Sequence, residues 1–239
     1  MLSAAWAALA ASGVSAQMPK LDDVMKGLGK LPAAGGAGAT DDATASAGIK
    51  EALAVGTERA VQSLSRPDGY FGNAAVKILM PSSIQKVAEV ARKAGYQQQV
   101  DEFILSMNRA AEAAAPLASR PFGDAIRAMT LDDVRGILGG GDTAATDYFR
   151  SKTQDKLYAA FKPIVSQKVD EVGATRAYKE LVGRYESVPF MKSPSLDLDD
   201  YVTKKSLDGL FLRVGEEEKK IRTDPVARST ELLKTVFGK

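Results

Sequence analysis

The sequence predicts an all-α fold, a single-domain bundle of about eight helices, with a short β-hairpin or extended loop near residues 70–81. Three observations carry this. Apolar residues recur at spacings of three and four through most of the chain, the signature of one buried helix face. Caps and breakers (Ser, Asp, Pro, Gly) punctuate these runs at helix-length intervals. No strand pattern alternates with the helices, and no internal repeat is present.

From Gly48 onward the elements follow in order. Ile49, Leu53, Gly56, Ala60 and Leu64 mark a first helical face, stopped by Arg66-Pro67-Asp68-Gly69. Tyr70 to Pro81 is the extended or hairpin segment. Ser82 or Ser83 caps a helix with Ile84, Val87, Ala88 and Ala91 inward, closed by Gly95. Val100, Phe103, Ile104, Met107, Ala111 and Ala114 form the cleanest face, and Pro116 ends or restarts that helix. Thr130 to Asp133 is a capping-box-like start with Asp in place of Glu, and Gly139-Gly140-Gly141 ends the short helix after it. Asp142 or Thr143 begins a long helix holding Phe149, Leu157, Phe161, Ile164 and Val165, kinked near Ala159 to Pro163 and closed at Gly173. Tyr178, Leu181, Val182 and Tyr185 make another face, and residues 189–195 a loop. Asp197 caps a helix through Leu207, Leu210, Phe211, Val214 and Ile221. Asp224-Pro225 opens the last helix, with Gly238 closing it.

Upstream of this domain, residues 1–16 read as a signal peptide. Leu2 to Ala16 is an uncharged, Ala-rich run ending in Val14-Ser15-Ala16, the small-x-small pattern of signal-peptidase sites. At roughly 15 residues it is short of the ~20 that span a bilayer core. No Lys or Arg precedes it, a departure from the usual positive start, and no Cys follows it, which rules out a lipoprotein. The expectation is cleavage after Ala16 and a periplasmic location in a Gram-negative bacterium, with no transmembrane span left. Residues 17–47 read as a short amphipathic segment, Leu21 to Leu31, followed by an Ala/Gly/Thr/Asp linker, and residues 48–239 as the helical domain.

Composition narrows the chemistry. The 239 residues hold Lys+Arg 32 against Asp+Glu 30, a net charge of +2 that gives no general drive toward nucleic acid. With no His and no Cys, a Ser-His-Asp triad, a Cys nucleophile, a zinc finger, haem or iron–sulfur ligation and a disulfide framework are all excluded. Asp197, Asp199 and Asp200 invite a calcium loop, yet an EF-hand counted from Asp197 needs Gly and Glu where the chain has Val202 and Asp208. These acids read as a helix cap. Glu216 and Glu218 stand four residues before Lys220 and Arg222, and read as ion pairs on a solvated face. The glycines of 69–72 and 139–141 lack phosphate-loop spacing. No cofactor and no metal are expected.

Two places remain as candidate binding residues. Asp68, Tyr70, Phe71 and Asn73 set two aromatics beside polar groups, either folded back onto the core or presented as anchors. Asn108, Arg109 and Glu112 border the stripe of the cleanest helix, either as an inter-helix tie reaching Glu58 or Arg59 or as the holder of a ligand head group.

Several runs together resemble a single family: G-I-K-E-A-L-A-V-G-T-E-R-A-V from Gly48, D-G-Y-F-G-N from Asp68, M-N-R-A-A-E from Met107 and A-M-T-L-D-D-V-R-G-I-L from Ala128. A-A-T-D-Y-F-R from Ala144 and L-D-D-Y-V-T-K-K-S-L-D-G-L-F-L, with E-E-E-K-K-I-R-T-D-P-V-A-R after it, extend the likeness. The chain is similar to the bacterial exported family called domain of unknown function 4197, roughly from Gly48 to Gly238. That resemblance implies an envelope location and one domain, and it carries over no activity, ligand or catalytic residue. The sequence therefore points to a non-enzymatic periplasmic protein that binds an envelope protein partner or an apolar ligand. A carboxylate-based hydrolase of an envelope polymer is the alternative, and a purely structural envelope role is a third.

Overall fold

Caps and breakers divide the chain much as the sequence predicts in the structure, a computed structural model that describes residues 37–171, 173–187, 196–231 and 234. Helix α1 spans Ala37–Ser65, α2 Gln85–Lys93, α3 Gln97–Ala114 and α4 Ser119–Ala128. Then come α5 (Leu131–Leu138), α6 (Ala144–Glu171), α7 (Ala174–Glu186) and α8 (Leu198–Thr223), joined in places by short 3-10 turns. Among the described residues there are eight α-helices and no strand, so the all-α, single-domain expectation holds. The proposed signal peptide, the Leu21 to Leu31 segment, the 189–195 loop and Gly238 lie outside the described residues.

The local reasons are those the sequence offers. Thr130 accepts the Asp133 amide while Asp133 accepts the Thr130 amide, a complete capping box. Asp197 caps α8 by accepting the amide of Asp200 at 2.9 Å. Pro116 ends α3 inside a 3-10 turn, Ala115–Ala118, from which α4 restarts. Helix α6 continues through Pro163 to Glu171.

Several expectations about this domain are corrected. Ser82 and Ser83 do not cap α2 with their side chains; they lie in a 3-10 turn, Ser82–Ile84, from which that helix continues. Helix α1 begins at Ala37, well before Gly48, so the second part of the expected linker is helical. Ala is the strongest helix former, and its abundance there outweighs the lack of an apolar stripe. Asp224 caps only a single 3-10 turn, Pro225–Ala227, and the chain after it is not helical at Arg228 and Ser229, so no α-helix opens at Pro225.

Helix α8 is the axis of the bundle. It packs against α6, α1 and α3 and buries residues around most of its circumference, from Leu198 to Ile221. Phe211 from this helix meets Phe122, which meets Phe149, at ring separations of 6.1 and 5.4 Å. Close approach on α8 is made possible by small residues. Gly209 faces the ring of Tyr70 so closely that a Cβ would stand 2.7 Å from Tyr70 Cε1.

Glu218 holds α6 onto α8. Its carboxylate accepts the amides of Ala145 and Thr146 at 3.0 and 2.9 Å and the Thr146 hydroxyl at 2.8 Å. These amides open α6 and have no partner within the helix, and the negative charge complements the helix dipole. Arg222 donates to the same carboxylate and to the Ile137 carbonyl. Glu217 and Glu218 are thus buried, which overturns the solvated-face reading of residues 216–222. The expected Glu218–Arg222 pair forms, whereas Lys220 pairs with Glu217 in place of Glu216.

Gly209→Ala is expected to cost about 1–3 kcal/mol by overpacking. Gly183→Ala, whose Cβ would meet nothing, should be neutral or gain up to about 1 kcal/mol of helix propensity. Urea denaturation of both variants checks this, and equal effects at the two positions would contradict it.

Candidate functional site

The seven candidate residues converge where the 66–81 loop lies on α3. The loop leaves α1 through Asp68, the one described non-glycine residue with positive φ, 65°. Gly69 follows because a Cβ there would stand 2.5 Å from the Leu64 carbonyl oxygen. The chain then turns inward, and Tyr70 is fully buried.

Glu112 receives the loop. Its Oε1 accepts the backbone amides of Tyr70 and Phe71 at 3.1 and 3.2 Å. Its Oε2 accepts from Arg109 at 2.7 Å, and Arg109 reaches on to Asp68 at 2.8 Å. A carboxylate buried to this degree is retained only when its lone pairs are satisfied, and here amides and guanidinium do so. The tie from Asn108, Arg109 and Glu112 therefore runs to the loop and not to the first helix. Glu58 instead accepts from Gln62, and Arg59 donates to the Ala227 carbonyl.

Asn108 holds the far end. Its Oδ1 accepts the Ile78 amide and its Nδ2 donates to the Ile78 carbonyl, each at 2.8 Å, with a further bond to the Ile104 carbonyl at 2.7 Å. The carboxamide thus makes for Ile78 the pair of bonds that a neighbouring strand would make. Residues 77–81 accordingly form no hairpin, since the carboxamide takes the place of a second strand at Ile78. The Asn73 side chain accepts the Ala75 amide at 3.1 Å and closes a local turn.

The two aromatics part company. Tyr70 folds onto the core and donates its hydroxyl to the Ser206 carbonyl of α8 at 2.7 Å. Phe71 stays half-buried, with Lys77 Nζ 3.8 Å above its ring and the Arg109 guanidinium 5.9 Å away. Sequence reasoning missed Lys77, Ile78 and Ser206. The Ser206/Gly209 spacing on α8 is the available signal, because small residues on a buried face mark a close neighbour.

Among the described residues no group of three acidic side chains is arranged to hold a metal ion, and no helix is long and apolar enough to cross a membrane. The apolar pocket between α1 and α8, lined by Ile49, Leu53, Gly56, Val214 and Ile221, has about 20 Å³ of free space. That is room for about one water. Two open grooves of about 240 and 190 Å³ flank the outer face of α8 and meet at Asp208.

Fold and site together define an all-helical domain in which the long loop between α1 and α2 is bound into the core by side chains of α3. The chain belongs to the family described as protein of unknown function DUF4197, whose match covers residues 39–238. Neither the curated proteins nor the solved structures yield a match.

Burial, with the Glu112 charge adding, pushes the Tyr70 phenol well above the ordinary tyrosine value. The folded protein therefore holds this proton more tightly than the unfolded chain does. The linked stability is complete below the unfolded pKa, about 10, and is lost as pH rises beyond it, by up to ~1.4 kcal/mol per pH unit. Tyr70→Phe should lower stability by about 1 kcal/mol at neutral pH and flatten the alkaline limb. Part of that limb should remain, because burial also raises Tyr148, Tyr178 and Tyr201. Urea titrations at pH 7 to 11 test this, and an alkaline slope unchanged in the variant would contradict it.

Proposed function

We propose that the protein is an exported, periplasmic helical module without catalytic activity that acts by binding a protein partner at its surface. The observation that carries this reading is the small apolar pocket between α1 and α8, where about 20 Å³ of free space admits about one water and no acyl chain. Surface contact is then favoured over carriage of an apolar ligand. The buried carboxylates lend support. Glu112 and Glu218 are engaged by backbone amides and by Arg109 and Arg222, an arrangement suited to holding structure and not to proton transfer. The Ala-rich run ending at Ala16 supports export.

Native mass spectrometry and lipid extraction on protein purified from the periplasm test the proposal. The expected protein begins at Gln17, lacks tryptophan emission because Trp6 is the only Trp, carries no stoichiometric lipid and retains a protein partner. An intact amino terminus with a Trp signal would sink the export reading. A stoichiometric lipid would replace the partner with an apolar ligand. A chain that stays alone even after crosslinking in the periplasm would contradict binding altogether.

A further inference from the structure

The grooves beside α8 carry more charge than the fold neutralises. One lies between α6 and α8 and is lined by Arg150, Asp155, Tyr158 and Lys204. The other lies between α8 and the 66–81 loop and is lined by Val76, Lys77, Ile78, Lys205 and Leu212. Asp208 stands on the ridge shared by both. Arg150 and Lys205 both turn to this single carboxylate, at 3.6 and 3.5 Å, long contacts that leave most of their donors unused. Among the described residues Lys77 has no carboxylate partner, and the Phe71 ring lies 3.8 Å from its ammonium, which stands at the groove edge. Arg150 and Lys205 thus share Asp208, and with Lys77 beside them three cations face two lining acids, Asp155 and Asp208. Leu212 next to them is 45% exposed.

We propose that these two grooves form a docking surface for an acidic, extended segment of a protein partner. Its carboxylates pair with Lys77, Lys205 and Arg150, and an apolar side chain lies on Leu212. The inference rests on the partner-binding reading above and names the surface and the chemistry of the partner. Charge complementarity selects the occupant. Volumes of about 190 and 240 Å³ suit single side chains from one strand of peptide laid across the ridge. A flat membrane surface fits less well, because its headgroups cannot follow cations set in two grooves on either side of a ridge, as a narrow chain can.

The test is amide chemical-shift mapping on the ¹⁵N-labelled full chain, titrated with a synthetic ten-residue peptide of Glu, Leu and Ser. The control replaces each Glu by Lys. Saturable shifts are expected at residues 76–79 and 204–212 with the Glu peptide and none with the control. Lys205→Glu alone, and Lys77→Glu with Lys205→Glu, should weaken binding by about tenfold or more at unchanged melting temperature. Shifts elsewhere, or variants that bind as well as the parent, would overturn the proposal. Inorganic phosphate that reproduces the shifts would reduce the site to an adventitious ion only. Capture by phosphatidylglycerol vesicles that depends on Lys77 and Lys205 would reassign the face to a membrane. Failure here is separable from failure of the binding function. A double variant that still retains the natural partner in its native mass spectrum removes this surface and leaves the function standing.

Discussion

The fold depends on side chains of α3 standing in for secondary structure. Between Ser65 and Ser82 the chain has no helix of its own, and its backbone polar groups must find partners elsewhere to be buried. Glu112 takes the amides at the loop's entry, and Asn108 takes both backbone groups of Ile78 near its exit. Pinned at these points, the loop delivers Tyr70 to Gly209 and Ser206, and so fastens α3 to the central helix through a third element. Without the pins, Tyr70, Val76 and Ile78 would leave the core together.

The same device recurs at the other end of α8. Glu218 supplies the acceptors that the first turn of α6 lacks, and Arg222 neutralises it while reaching the last turn of α5. In both places a buried glutamate binds two consecutive backbone amides and one arginine. Such a carboxylate is stable only as part of a satisfied set, so losing one member leaves the rest unpaired. The bundle is thereby specified at two polar joints, while its apolar core supplies the bulk of the burial.

What the sequence made legible follows from how local the cause is. The Thr130–Asp133 box, the Asp197 cap and the Pro116 restart each involve residues within a turn of one another, and each stands where the pattern puts it. The start of α1 is not legible from periodicity, because an Ala-rich run has strong helix propensity but no periodic face. Glu218 shows only its i,i+4 partner in the sequence, while its main partners lie 72 and 73 residues away. Grouping Asn108, Arg109 and Glu112 was possible from their place on the edge of the stripe. Their target was not, since a backbone amide such as that of Ile78 leaves no mark in sequence. The Lys77–Asp208 face was invisible for a similar reason, as its cations come from a loop and two helices.

Amide hydrogen exchange at Ile78 tests most directly whether the loop belongs to the core's cooperative unit. An exposed loop opens at little cost, whereas a segment built into the core opens only with global unfolding. With the loop pinned by Asn108, the Ile78 amide is predicted to exchange with the same opening free energy as core amides of α3 such as Met107. Exchange at Ile78 that is orders of magnitude faster than at Met107 in the intact protein would contradict the account.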